Sequence, residues 1–268
     1  MVYPTFLRVA YLGTRYHGWQ IQSVHRTVQG ELWRALQALD PEVPMPQGTG
    51  RTDAGVHARA QGVLAILSRS WEPYRLLAAI NAHLPRDIRV TLTRPAPEGF
   101  FPRQHAVAKR YVYRIFQGPV EDPFTRGLGW HIHKAVPLDE AAMREASQHL
   151  VGEHDFSSFR HRECSAAHPI RHIYQVEITA EGTSLALVFE GNRFLMHQVR
   201  IMSGTLAEVG LGRRTASSIV DALEARDRRA AGNTAPPEGL FMEEVWYQLA
   251  WGLGEPSPWP EPDSSLGG

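Results

Sequence analysis

Hydrophobic positions recur along this chain with two different periods. Leu7, Val9 and Tyr11 alternate with Arg8 and Ala10, the two-residue rhythm of a strand that Gly13 ends. Thr27 then stands as an N-cap before Val28, Leu32, Ala35 and Leu36, which share a helical stripe closing before Pro41. Val63–Leu67 predicts a second strand, Tyr74–His83 a helix, and Ile88, Val90 and Leu92 the inward face of a third strand. Pro95, Pro97 and Gly99 break the pattern and mark an expected boundary. Beyond it, Arg110–Phe116 predicts a strand with Tyr111, Tyr113 and Ile115 on one face, followed by a helix over 138–151 and strands over 173–179 and 184–190. The best helical pattern spans Arg193–Val209, where Leu195, Val199, Met202, Leu206 and Val209 are spaced four, three, four, three. Gly204 in its interior costs about 1 kcal/mol relative to Ala, which points to close packing there.

Both halves carry strands, a long helix and further strands, without a convincing sequence repeat and without the regular alternation of a doubly wound sheet. A length of 268 residues suits two domains or one large one, and 43% hydrophobic with 21% charged residues is ordinary globular composition. No apolar run approaches the ~20 residues of a membrane span. The N-terminus shows no secretory signal, and Cys164, the single cysteine, excludes an internal disulfide framework and a multi-thiolate metal site. A cytoplasmic location is therefore expected.

The net charge of zero conceals a partition. From Pro237 onward there are six acidic residues and no Lys or Arg, so the first 236 residues carry a surplus of six positive charges. Arg103, Lys109, Arg110 and Arg114 concentrate it over 101–120, where no carboxylate stands. Lys109 and Lys134 are the only lysines; all other cations are arginines, whose planar forks suit phosphates and stack on bases. That composition fits a nucleic-acid partner, and it fits biased codon usage equally well.

The most informative stretch is Gly50-Arg-Thr-Asp-Ala-Gly-Val-His57, between helix and strand signals. Its glycines permit a sharp turn, and a loop can aim an Asp into a cleft. On spacing alone Asp53 has two readings, a structural turn residue or a carboxylate nucleophile or base kept ionised by a neighbouring arginine. His131 and His133 have the strand spacing of two metal ligands but no identifiable third, so no metal is expected.

This octapeptide resembles the signature of the tRNA pseudouridine synthase A family. Five further segments are similar to that family in order: Tyr11–Gln20 with Thr27–Gln29, Ala108–Tyr113, Gly152–Arg160, Phe194–Arg200 and Ala235–Leu240. The chain departs from the family's usual residues at Leu12, Gln198 and Ile201, none of which replaces a proposed catalytic group. The resemblance implies isomerisation of uridine to pseudouridine in the anticodon stem-loop of tRNA, around positions 38 to 40, with no cofactor or metal. It implies Asp53 as catalytic carboxylate, Arg200 as its cationic partner and Tyr111 as the ring that stacks on the extruded base. Arg51 is the candidate to fill the space the base vacates, and His57, Arg103, Lys109 and Arg110 are the further substrate-binding candidates.

The expected architecture is α+β: two related subdomains with mostly antiparallel sheets flanked by helices, and an active-site cleft between them. They would span 1–98, carrying the catalytic Asp, and 99–251, followed by a mobile Pro-, Gly- and Ser-rich tail over 252–268. The resemblance also implies a homodimer. Two other classes compete, a catalytically silent RNA-binding protein on the same scaffold and a glycoside hydrolase pairing Asp53 with Asp155.

Overall fold

The computed structural model describes residues 1–134, 137–253 and 256–259, so most of the expected tail lies outside the described residues. The chain begins with β1 (Tyr3–Tyr11), α1 (Val28–Gln37), β2 (Gln47–Gly48), β3 (His57–Leu67), α2 (Pro73–His83), β4 (Ile88–Pro95) and the single turn α3 (Pro102–His105). There follow β5 (Ala106–Gln117), β6 (Trp130–Ile132), α4 (Glu140–Gln148), β7 (Gly152–Asp155), β8 (Ile170–Glu181), β9 (Ser184–Gly191), α5 (Gln198–Gly210), α6 (Ser218–Ala225) and β10 (Leu240–Tyr247). The chain divides into two units, Met1–Lys109 with the described residues from Met242 on, and Arg110–Phe241. The expected boundary at 98/99 falls inside the first unit, between β4 and α3.

In the first unit β1 runs antiparallel to β3, from Tyr3 opposite Leu67 to Tyr11 opposite Ala58, and antiparallel to β4, from Thr5 opposite Pro95 to Tyr11 opposite Ile88. Strand β10 lies on the far side of β3. The Thr27 hydroxyl caps α1 by accepting the Gly30 amide at 3.3 Å, and the stripe Val28, Leu32, Ala35 and Leu36 is buried as its spacing predicts. The Glu72 carboxylate caps α2 through the Tyr74 and Arg75 amides, which hold its pKa below the usual carboxylate range.

In the second unit β9, β8 and β7 form an antiparallel ladder, β5 lies beside β9, and β6 adds to β5 in parallel. Each unit thus combines a mostly antiparallel sheet with helices, the α+β architecture expected. Tyr111, Tyr113 and Ile115 share the buried face of β5.

Helix α5 departs from expectation, for it starts at Gln198 rather than Arg193. Asn192 Oδ1 accepts the amides of Arg193 and His172, and Gln198 Oε1 accepts the Leu195 amide at 2.8 Å, so local side-chain bonds replace the first helical turn. His197 then enters the helix from the left-handed region, at φ 61°. Leu195 keeps its place in the spacing because it is buried, although its backbone is not helical.

Gly204 packs as its position in the pattern suggests. A Cβ there would lie 1.9 Å from the Asn233 carbonyl oxygen, so α5 touches the 231–236 segment backbone to backbone. Glu208, one turn on, accepts from the Asn233 amide at 3.0 Å and from Arg214 Nε at 2.6 Å. Gly204→Ala is therefore expected to lower stability by about 1–3 kcal/mol, because displacing Asn233 outweighs the helix-propensity gain. A melting temperature equal to or above that of the parent protein would contradict the packing argument.

Candidate active site

The Gly50–His57 turn is fixed by bonds on every side, all within the first unit. Gln61, fully buried in β3, clasps Gly50 by donating to its carbonyl at 2.6 Å and accepting its amide at 3.3 Å. Thr49 donates its hydroxyl to the Gly62 carbonyl at 3.0 Å and meets the Tyr247 hydroxyl in a short hydrogen bond. The Thr52 hydroxyl shares a hydrogen bond of 2.8 Å with Tyr11, whose phenol burial pushes well above its ordinary pKa, so it stays neutral. The Thr52 carbonyl accepts the Trp19 amide at 3.1 Å, and the Tyr16 carbonyl accepts the Gly55 amide at 3.2 Å. Asp53 itself closes the turn, its carbonyl accepting the Val56 amide at 3.2 Å, and its side chain is half-buried.

This arrangement needs glycine at position 18. Its φ is 83°, and a Cβ would stand 2.4 Å from the Thr52 carbonyl oxygen. His57 is also part of the scaffold: it is fully buried, and its Nδ1 accepts the Gly13 amide at 3.1 Å. With no exposed surface, the ring supports the loop from behind. Arg51 and Arg103 are exposed, while Lys109 is half-buried with Nζ 3.4 Å from the Thr49 carbonyl.

In the second unit, Tyr111 is buried on β5 with its ring edge-on to Phe194, centroids 5.0 Å apart. Arg200 lies on the first turn of α5. Its Nε donates to the Ala235 carbonyl at 2.9 Å, and its own carbonyl accepts the Ala235 amide at 3.1 Å. The Tyr113 hydroxyl donates to the Pro236 carbonyl at 2.8 Å, so two residues of the proposed site region grip the same closing segment. Sequence reasoning missed Gln61, Tyr11 and Thr52. Gln61 carries a usable signal, an amide just ahead of the apolar run Val63–Leu67 of β3.

Arg110, a substrate-binding candidate, is engaged by a carboxylate of its own unit. Its guanidinium bonds Glu190 at 2.5 Å from both Nε and Nη2, and the Glu190 side chain is only 4% exposed. Asp155, the carboxylate a glycoside hydrolase would require as partner, accepts the Ser157 amide at 2.9 Å and pairs with Arg226 at 3.4 Å. Burial works to raise its pKa, but the Ser157 bonds with Arg226 and Arg160 outweigh it and leave the carboxyl below its ordinary value. A general acid needs the opposite shift.

Among the described residues, no group of three or more His, Cys, Asp or Glu could hold a metal, and no helix is long and apolar enough to cross a membrane. His131 and His133 lie with ring centroids 4.3 Å apart, and His131 Nε2 bonds the Gly118 carbonyl at 2.9 Å.

The chain matches a known class of protein. The family model described as tRNA pseudouridine synthase matches residues 8–102 and 146–248. Curated relatives named tRNA pseudouridine synthase A include that of Caulobacter sp. (strain K31), 41% identical over 90% of this chain and 97% of the relative. Another is that of Myxococcus xanthus, 41% identical over 90% of this chain and 91% of the relative. A third, from Coxiella burnetii (strain Dugway 5J108-111), is 38% identical over 90% and 92%. The chain belongs to the tRNA pseudouridine synthase A family and is an enzyme of the isomerase class. A solved Cbf5–Nop10–Gar1 complex superposes with a TM-score of 0.34 at 12% identity, covering 76% of this chain and 44% of that chain, too distantly to bear on function.

The Arg110–Glu190 pair yields a prediction. Arg110→Ala leaves a buried carboxylate without its guanidinium and should cost about 1–3 kcal/mol, below the cost in a fully buried pair because Arg110 is 40% exposed. Chemical denaturation of this variant and of the Arg110→Ala, Glu190→Gln double variant should show partial recovery in the second. Equal stability of Arg110→Ala and parent would remove the structural role.

Proposed function

We propose that this protein converts uridine to pseudouridine in the anticodon stem-loop of tRNA, around positions 38 to 40, with Asp53 as the catalytic carboxylate. The observation that carries the reading is the Gly50–His57 turn. It bears the family's signature and holds Asp53 half-buried in a turn fixed by its neighbours' backbone. A reaction that detaches a base and reattaches it needs a carboxylate whose position survives the rearrangement.

The bond between N1 and the ribose C1′ breaks, the base turns over, and C5 bonds to C1′ while the C5 proton is lost and N1 gains one. Asp53 serves as nucleophile at C1′ or as base toward the 2′ proton, and both roles require the ionised form. Arg200 supplies the compensating positive charge and Tyr111 the ring against which the base rests, roles carried by the family resemblance. A stacked uridine does not offer C1′ and C5 together, so the nucleotide must leave the helix at a cost of a few kcal/mol. Arg51, exposed two residues before Asp53, fills the space left behind. Expected with this reading are a homodimer and a cytoplasmic location.

Asp53→Asn should lower pseudouridine formation more than about 10³-fold while tRNA affinity and melting temperature stay close to those of the parent. Turnover and binding are measured on one preparation, with the modified positions mapped. Appreciable turnover by the variant, or parent activity confined to sites outside 38 to 40, would refute the corresponding part of the reading. Tyr111→Phe keeps the ring against Phe194 and should retain more activity than Tyr111→Ala. Equal and complete loss in both would make the hydroxyl, not the ring, the essential feature.

A further inference from the structure

The loop joining β7 to β8 folds around arginines. Arg160 Nη1 reaches the Ala166 carbonyl at 3.5 Å, and Arg171 Nη1 donates to the His168 and Ile170 carbonyls at 2.9 and 2.5 Å. None of these bonds neutralises a charge. Asn192, which bonds the backbone of His172 and Arg193, brings Arg193 to the same end of the β8–β9 pair as Arg171. Arg160, Arg171 and Arg193 form no salt bridge among the described residues, although Asp155, already paired with Arg226, feels Arg160. Glu163 and Arg162 are exposed on the same loop, which leaves the group strongly positive.

Arg171 is the least satisfied member. Its Nε is buried without a hydrogen-bond partner, and burial, then the Arg193 charge, pull its pKa below the ordinary value, with Arg160 adding to them and Cys164 opposing. Like charges held together in this way gain from an anion between them. The loop is also tied to the site region of its own unit. The His161 amide donates to the Met196 carbonyl at 3.0 Å, the His161 ring meets His197 at 4.5 Å, and Phe194, next to Arg193, packs against Tyr111.

We propose that Arg160, Arg171 and Arg193 form a docking site for the sugar-phosphate backbone of the tRNA beside the target nucleotide. The choice of RNA as the source of the phosphates rests on the proposed function. They add to the phosphate-binding candidates Arg103, Lys109 and Arg110, of which Arg110 also pairs with Glu190.

The single cysteine supplies a probe, because Cys164 lies in this loop, half-exposed and within electrostatic reach of Arg171. In the full-length protein, alkylation of Cys164 by N-ethylmaleimide should slow several-fold when tRNA is bound, compared within each variant with and without tRNA. In salt titrations, Arg193→Gln and Arg160→Gln should each reduce the slope of log affinity against log salt by about 0.7–0.9 for every phosphate no longer neutralised. Arg126→Gln, an exposed arginine of the same unit outside this loop, should leave the slope unchanged. Arg193 is exposed, which keeps one variant interpretable if Arg160→Gln fails to fold. Unchanged slopes with full tRNA binding would overturn the site and leave the proposed activity standing. Protection by inorganic phosphate but not by tRNA would overturn the choice of RNA. Reduced slopes in these variants, with a parent protein that binds tRNA yet forms no pseudouridine, would support the docking site and refute the activity.

Discussion

Asp53 is positioned by a backbone that approaches another backbone too closely for any side chain to intervene. The Thr52 carbonyl oxygen lies 2.4 Å from where a Cβ on Gly18 would be, and the amides of Trp19 and Gly55 stitch the two loops together. The Gly50–His57 loop therefore inherits the rigidity of β1 and β3, which Tyr11 and Gln61 extend into it through Thr52 and Gly50. The bonds that shape the turn run through main chain, a hydroxyl and an amide. A carboxylate carried on such a frame needs little reorganisation to react.

The arginine surplus looks different once its members have addresses. Arg110 is spent on Glu190, Arg200 clasps Ala235 with both its side chain and its main chain, and Lys109 reaches the carbonyl of Thr49. Arg214 holds Glu208 and Arg144 the Ile178 carbonyl. Composition alone counts all of these as cations ready for phosphate. Only placement separates those that brace the fold from those that face outward, such as Arg51 and Arg103.

Periodicity is a sound guide where burial is one-sided. The stripe of α1 and the buried face of β5 follow from spacing because each element turns one side to a core. It fails at the start of α5, where Leu195 is buried for reasons of tertiary packing while Asn192 and Gln198 hold its neighbourhood out of the helix. Strand β10 escapes it because Phe241, Met242, Val245, Trp246 and Tyr247 are buried without alternation, around the pair Glu243 and Glu244. At the site, the signature singles out Asp53, but nothing local to His57 announces that it is sealed behind the loop. The residues that brace Gly50 and Thr52 come from strands, and their role depends on pairings far apart in sequence.

The longest of these pairings has a consequence for the order in which the molecule can be made. Thr49, at the entrance to the Gly50–His57 turn, shares its hydroxyl bond with Tyr247, 198 residues later, and β10 lies along β3 in the same unit. During synthesis the sheet of the first unit stays incomplete until β10 emerges, after the whole second unit. Until then β3, apart from its two-residue pairing with β2, presents an unpaired edge, the kind of surface on which nascent chains misassociate. The turn bearing Asp53 is thus translated well before it is braced, and the loop gains its full support only once β10 is in place.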